Sequence, residues 1–369
     1  MKGRAHGGDV FYASKVTGIP VDDIVDFSAS INPLGMSGRA LAAAGDALER
    51  LHHYPEPHAG SLAEKIAGLL SDGRKFKIRP AQVVPGNGST ELIYLLARSL
   101  RPKTVLVHNP TFSEYERAAR LSGAAVRGVA GLSFRFARFA DAMRGAQMAF
   151  LCNPNNPTGE LLEKESVLEL ARVARKARCR LVVDEAFIDF CPGNSIVDEA
   201  ARQNPYLVIL RSMTKFHALT GLRVGYAVFG SGREAGKVLK FKEPWSVNTP
   251  AVEAAIAAPG DAEHAQKTLR FVEKERAFIT RRLEKAGVWH FTGTPARQEG
   301  SGCRCGPNFF LIRLPEAQRF AARLFGKGVL VRDCSNFKGF RKKQFIRFAV
   351  KKRRENRLLL DEIDKWLGR

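Results

Sequence analysis

Between about residue 80 and residue 230 the chain alternates short apolar runs with longer segments whose apolar residues recur at helical spacing. Val83-Val84 leads into the helical pattern of Thr90 to Leu100, and Val105-Leu106-Val107 precedes Ser113 to Leu121. Met148 to Leu151 is followed by Ser166 to Lys176, then come Leu181-Val182-Val183 and Leu207 to Leu210. Short continuous apolar runs bounded by turn residues read as strands buried on both faces, and the periodic segments as the helices covering them. The alternation predicts an α/β fold built on a mainly parallel sheet.

From about residue 250 the pattern changes to helix, strands near Phe309 to Arg313 and Val329 to Arg332, another strand over Phe345 to Val350, and a final helix. That order suits a smaller α+β C-terminal domain. The first forty-odd residues carry turn chemistry, Asn32-Pro33-Leu34-Gly35, and predict an N-terminal arm across the pocket. The expected division is therefore an arm over 1–45, a large domain over 46–250 and a small domain over 251–369. A chain of 369 residues is too long for one small core, which agrees with that division.

Composition narrows the class. The 45% hydrophobic and 26% charged shares are those of a globular protein, with no apolar run long enough for a membrane span and no signal-type segment after Met1-Lys2-Gly3-Arg4. Six cysteines are scattered without the density of a disulfide framework, so reduced thiols and a cytoplasmic protein are expected. Cys303-Arg304-Cys305 lacks the spacing of a zinc knuckle and has no second pair, so no metal is expected there. The net charge is +22, and Lys338 to Arg354 holds nine Lys or Arg and no acid. Such a run reads first as a solvated basic surface and next as a field that draws an anionic small molecule. Nucleic-acid binding is disfavoured, because the run encloses the strand-like Phe345 to Val350 and no zinc-finger, KH or RNP motif is present.

Candidate chemistry collects just after the strands, at Gly86-Asn87-Gly88, Asn109-Pro110, Asn153 to Gly159, Asp184-Glu185 and Ser212 to Lys215. Ligands of open α/β sheets sit at the carboxyl ends of the strands, so these loops should face one pocket. Lys215 follows an apolar strand, where partial desolvation favours the free amine that attacks an aldehyde. An exposed loop lysine is the ordinary alternative; the hydroxyls of Ser212 and Thr214 and the Gly-bounded Arg223, a group suited to a phosphate, argue against it. Gly86 to Glu91 joins strand to helix, where free N–H groups favour an anion, although many such turns hold glycine for the turn alone. Asp184 follows Leu181-Val182-Val183 and should lie deep, as a helix cap or facing a cationic partner such as a protonated pyridine nitrogen.

Together, Asn153-Pro154-Asn155-Asn156-Pro157-Thr158-Gly159, Asp184-Glu185-Ala186-Phe187 and Ser212-Met213-Thr214-Lys215 with Gly221 to Gly225 resemble the ordered motifs of fold-type I enzymes that use pyridoxal 5'-phosphate (PLP). Within that superfamily the chain resembles the histidinol-phosphate aminotransferase group, and most closely its threonine-phosphate decarboxylase branch. The branch is suggested by His6-Gly7-Gly8-Asp9, by Asp26 to Gly35 and by Asp184 to Phe190. The resemblance implies Lys215 as the lysine that holds the cofactor as an imine, Asp184 on the pyridine nitrogen, Asn156 on the phenolic oxygen and Phe112 on the ring face. It places the cofactor phosphate at Gly88, Ser89, Ser212 and Arg223. Tyr54 resembles a tyrosine that reaches the neighbouring subunit's cofactor phosphate, implying a homodimer with shared active sites. Phe187 stands where aminotransferases of the group usually carry tyrosine, which removes one hydrogen bond to the phenolic oxygen.

Arg347 lies among apolar residues and Arg332 ends another apolar run. A guanidinium keeps its charge, so each needs an anion, either a structural partner such as Asp333 or a substrate carboxylate. By resemblance Arg332, Arg347 and Asn32 hold the carboxylate of a small phosphorylated amino acid, with His6 near its phosphate. The expected reaction is decarboxylation of L-threonine O-3-phosphate to (R)-1-amino-2-propanol O-2-phosphate, a step of cobalamin biosynthesis. The alternative is amino transfer from histidinol phosphate or a related amino acid, with Lys215 as general base. A PLP-fold regulator is a third reading, which the intact lysine, aspartate and phosphate cradle oppose.

Overall fold

The computed structural model describes residues 6–200, 202–291, 306–340 and 344–369. Cys303, Cys305 and residues 341–343 of the basic run lie outside the described residues. A two-residue strand β1 (Val25–Asp26) comes first, followed by β2 (Val83–Gly86), β3 (Thr104–Asn109), β4 (Ala125–Ala130) and β5 (Met148–Cys152). Then come β6 (Arg180–Asp184), β7 (Leu207–Ser212) and β8 (Gly225–Phe229), and later β9 (Phe309–Arg313), β10 (Val329–Leu330), β11 (Arg332–Asp333) and β12 (Phe345–Ala349).

Seven of these form the main sheet in the order β2-β8-β7-β6-β5-β3-β4. Strands β3 to β7 pair in parallel, and β8 runs antiparallel between β7 and β2. β5 and β8 are buried at every position, as strands covered on both faces must be. Helices supply the cover through apolar stripes. Lys164–Ala177 buries Val167, Leu170, Ala171 and Ala174, a spacing that puts all four on one face. β4 has no sequence run of its own kind: it is a largely exposed edge strand, with only Val126 and Val129 half-buried, so burial did not demand apolar residues there.

The parallel connections bring the carboxyl ends of β2, β5, β6 and β7 to one side, and Gly225 at the start of β8 pairs with both Gly86 and Ser212. Facing that side is an antiparallel three-stranded sheet, β11-β12-β9. Its apolar core joins Ile279 and Leu283 of the helix Ala262–Lys285, Phe310, Phe320 and Phe348. The segment expected to form an arm contributes to this core: β1 pairs in parallel with β10, and Phe27 is fully buried between Leu330 and Ala349 through main-chain hydrogen bonds. No described helix is long and apolar enough to cross a membrane.

Candidate active site

A cavity of about 270 Å³ opens at the strand ends. Lys215, Asp184, Ser89, Phe112, Asn156, Ser212, Arg223, His6, Arg332 and Arg347 all line it. Gly88, Asn32 and Tyr54 do not.

One end of the cavity is an anion cradle made by the first turn of the helix Gly88–Leu100 and the loop between β7 and β8. Gly88 has φ +74°, and a Cβ there would stand 2.8 Å from Arg223 Nη2, so only glycine lets the guanidinium close over the helix N-terminus. Arg223 itself holds φ +61°, a left-handed conformation that costs a non-glycine residue free energy and recurs at ligand sites. Its Nη1 donates to Thr220 O at 3.1 Å. Ser212 and Thr214 share a hydroxyl–hydroxyl bond of 2.8 Å. Orphan helix N–H groups, hydroxyls and a fixed guanidinium form a phosphate donor set.

At the floor, Asp184 ends β6 and is 3% exposed. Its Oδ1 accepts the Ala186 N–H at 3.0 Å and its Oδ2 the Tyr115 hydroxyl at 2.6 Å. Burial raises the carboxyl's pKa, while Tyr115, the Ala186 N–H and Lys215 oppose the rise. Tyr115 went unnoticed in the sequence. It is fully buried, stacks on Phe150 at 4.8 Å, and nothing in Glu114-Tyr115-Glu116 distinguishes it from a core aromatic. Burial lowers the pKa of Lys215 to about 8, with Arg347 and Arg223 adding to the fall and Asp184 and Asp26 resisting it. About a tenth of the amine is therefore free at pH 7, far more than for an ordinary lysine, as capture of an aldehyde requires.

The opposite wall belongs to the C-terminal sheet. Arg332 and Arg347 are directly opposed in the β11–β12 pair, and both are buried. Like charges facing each other across strands are destabilising, and buried cations cost several kcal/mol each unless compensated. Arg347 donates to Asn156 Oδ1 and to the main-chain oxygen of Ser28, neither charged, and its Nε has no partner among the described residues. Burial lowers Arg347 to about 10, with Arg332 contributing, which leaves it cationic at neutral pH. Arg332 donates to the main-chain oxygen of Asp333 and to Asn336 Oδ1, whereas the Asp333 carboxylate takes Ser335 and Gln318. This wall has the donor set for a carboxylate.

His6 covers the mouth. Its Nε2 lies 2.9 Å from Glu114 Oε1, and its ring sits 5.7 Å from that of Phe112. Gly7 fits against Ser28 because a Cβ would lie 2.4 Å from the Ser28 carbonyl oxygen, and the Gly8 N–H donates to Ser28 Oγ at 2.8 Å. Glu114 is 4% exposed and also takes the Tyr94 hydroxyl and Arg117. It is a second site residue that sequence reading passed over, since its role exists only through contacts distant in the chain. Asp9 accepts the Tyr12 N–H as cap of the helix Val10–Thr17.

Asn32 is spent on the fold: its amide donates to Phe216 O and Thr268 Oγ1, its side-chain oxygen accepts the Leu34 N–H, and its own N–H donates to Lys215 O. Tyr54 is 82% exposed and packs on Trp245 at 5.0 Å, outside the cavity. Asn155 braces the loop through Pro110 O, Thr158 and Thr111, which frees its neighbour Asn156 to line the site.

These residues fit PLP on their own chemistry: a phosphate cradle that a Cβ would fill, an amine of lowered pKa, and a buried carboxylate prepared for a cation. Comparison with known proteins gives the same picture. The chain is 33% identical over 362 residues to the threonine-phosphate decarboxylase of Salmonella typhimurium, covering 96% of this chain and 94% of that protein. It is also 33% identical over 353 residues to the histidinol-phosphate aminotransferase of Symbiobacterium thermophilum, covering 94% and 91%. The crystal structure of the histidinol-phosphate aminotransferase from Clostridium acetobutylicum superposes with a TM-score of 0.81 at 28% identity, over 93% of this chain and 98% of that one. Residues 22–363 match the family described as aminotransferase class I and II, and the chain belongs to that family.

Proposed function

We propose that this protein is a PLP-dependent enzyme that decarboxylates L-threonine O-3-phosphate to (R)-1-amino-2-propanol O-2-phosphate. Ser89, Ser212 and Arg223, with the Gly88 turn, would hold the cofactor phosphate; Asp184 the pyridine nitrogen; Asn156 the phenolic oxygen; Phe112 the ring face; and Lys215 the aldehyde carbon. When bound, the cofactor supplies an electron sink for the pair left on Cα when one of its bonds breaks.

The chain's own residues then decide which bond that is. Arg332 and Arg347 would grip the carboxylate from one wall and so set its orientation, and orientation is worth more than any single contact. Asp184 would be the anionic partner of the nitrogen, with Tyr115 holding that carboxylate in place. Lys215 lines the same cavity and would be the residue that exchanges a proton at the substrate's Cα. His6, steadied by Glu114, would lie at the mouth beside the substrate phosphate. Tyr54, exposed on this chain, would serve the neighbouring subunit's cofactor phosphate in a homodimer.

The observation that carries this reading is the opposed pair of buried arginines with a histidine at the mouth, a cavity wall for a substrate with two anionic ends. The equal identity to a histidinol-phosphate aminotransferase supports amino transfer as the second reading. The deciding experiment incubates cofactor-loaded protein with L-threonine O-3-phosphate and no keto acid, following CO2 and the amine. Release of CO2 over many turnovers is expected. Absence of CO2, with glutamate formed from 2-oxoglutarate on adding histidinol phosphate, would replace decarboxylation by amino transfer.

A further inference from the structure

Beside the catalytic cavity lies a second one of about 360 Å³ that no step of the reaction uses. The two share Phe112, Ser113, Arg332 and Phe337, so the second opens directly onto the rim of the first. Its outer wall carries Arg117, Arg120 and Lys338, and Glu116 is the acid among its lining residues. Arg117 is answered by Glu114, at 3.3 Å. Arg120 and Lys338, by contrast, both bind the same oxygen of Glu116, so two cations share one carboxylate and a positive charge is left over. Burial alone would raise the pKa of Glu116, but Lys338 and Arg120 hold it below the usual range, so it stays charged and the excess does not grow near neutral pH. The cations are more than half exposed, at 58% for Arg120 and 61% for Lys338, and Thr111, Ser113, Asn109 and Asn336 add hydrogen-bonding groups. Residues of the helix Glu114–Leu121 and of the loop after β11 meet here, through the Lys338–Glu116 ion pair.

We propose that this second cavity is an anion-binding vestibule, which takes a phosphate monoester from solution and passes it over Arg332 into the catalytic cavity. The proposal rests on the reading of the substrate as a phosphorylated amino acid. It gives part of the chain's basic excess a use, since a cationic entrance raises the local concentration of an anionic substrate and its association rate.

The test follows association of L-threonine O-3-phosphate with the cofactor-loaded protein in a stopped-flow instrument, using the cofactor's absorbance. Binding is thus read separately from whichever reaction follows. For a ligand of net charge about −2, one unit charge at about 10 Å in water changes an encounter rate about fourfold at low salt. Glu116→Gln should therefore speed association about fourfold and Lys338→Glu slow it about fifteenfold, on the same arithmetic. A gain of rate on removing a hydrogen-bonded acid is an outcome that structural damage does not produce. Both differences should vanish between about 0.01 M and about 1 M salt, as the Debye length shrinks from about 30 Å to about 3 Å. L-Threonine, without the phosphate, should bind all three proteins at similar rates. Equal rates for the three proteins at low salt, or the same changes with L-threonine, would overturn the vestibule. If L-threonine O-3-phosphate perturbs no absorbance in any of them, the functional reading fails instead, and histidinol phosphate, with the same monoester, becomes the probe that decides the vestibule.

Discussion

The two ends of the cavity were built by different means. The end proposed for the cofactor comes from the carboxyl ends of strands of one sheet: Ser89 after β2, Asp184 at the end of β6, Ser212 and Lys215 after β7. Once those strands run parallel, their carboxyl ends meet with no further instruction. The end proposed for the substrate has no such guarantee. Arg347 reaches Ser28 across 319 residues of sequence, and His6 reaches Glu114 across 108. The first end is a consequence of topology, and the second exists only when the segment around β1 and the C-terminal sheet are both docked. Chemistry common to the family can therefore sit on the former, and the choice among reactions on the latter.

If the cofactor end is preorganised, Lys215 should be reactive before any substrate arrives. Its pKa of about 8, against an ordinary value near 10.5, means that protons leave the folded protein's amine at lower pH than they leave a free lysine. The rate of covalent PLP uptake by the cofactor-free protein should then rise about tenfold per unit from pH 6 to 7 and level off just above 8, a change of nearly a hundredfold in all, as expected for an amine near its pKa. Stopped-flow absorbance across that range reads it directly. A rate that keeps climbing to pH 10 would mean that Lys215 is solvated like any surface lysine.

The substrate end is sharpened by Arg347→Lys, which keeps the charge and loses the fork. Losing a buried bidentate partner commonly costs about 2 kcal/mol or more, so the KM for the phosphorylated amino acid should rise by about thirtyfold or more. The loss of PLP affinity, measured by equilibrium titration, should be much smaller. Because Arg347 also donates to Asn156, some cofactor effect is expected; equal losses of substrate and cofactor would show that the arginine belongs to the cofactor end and that the division is wrong.

The same contrast governs what was legible in the chain. Apolar runs announced β2, β3, β5, β6 and β7, and the polar residues just beyond them announced the cradle, because strand burial and strand-end chemistry are both local in sequence. β4 was missed because an exposed edge strand needs no apolar run. The pairing of β1 with β10 was missed because two residues carry no periodicity. Arg332 and Arg347 were legible as cations among apolar residues, yet their facing register was not, since register depends on how β11 and β12 align. Asn32 read as a substrate contact from its motif, whereas in the fold its amide binds Phe216 O and Thr268 Oγ1, partners that sequence gave no reason to place beside it.

Tyr115 tests whether the cofactor end has a support of its own, independent of the motifs. Its hydroxyl is a hydrogen-bond donor to Asp184 Oδ2, and the Ala186 N–H satisfies the other oxygen. Tyr115→Phe keeps the ring and its stack on Phe150, so packing is preserved while one donor to a fully buried carboxylate is removed. Without that donor the charged form of Asp184 is less favoured, and its pKa, already raised by burial, rises further. A partly neutral Asp184 is a poorer partner for a protonated pyridine nitrogen. A hydrogen bond of this kind is worth about 1 kcal/mol net, so the Kd for PLP should rise about fivefold. The bound cofactor's absorbance should also titrate differently, which a purely packing role for Tyr115 would leave untouched. An unchanged Kd and an unchanged titration would mean that Asp184 is held well enough by the Ala186 N–H and its own strand. The cofactor end would then rest on β6 alone, and the contrast with the many-sided substrate end would be sharper still.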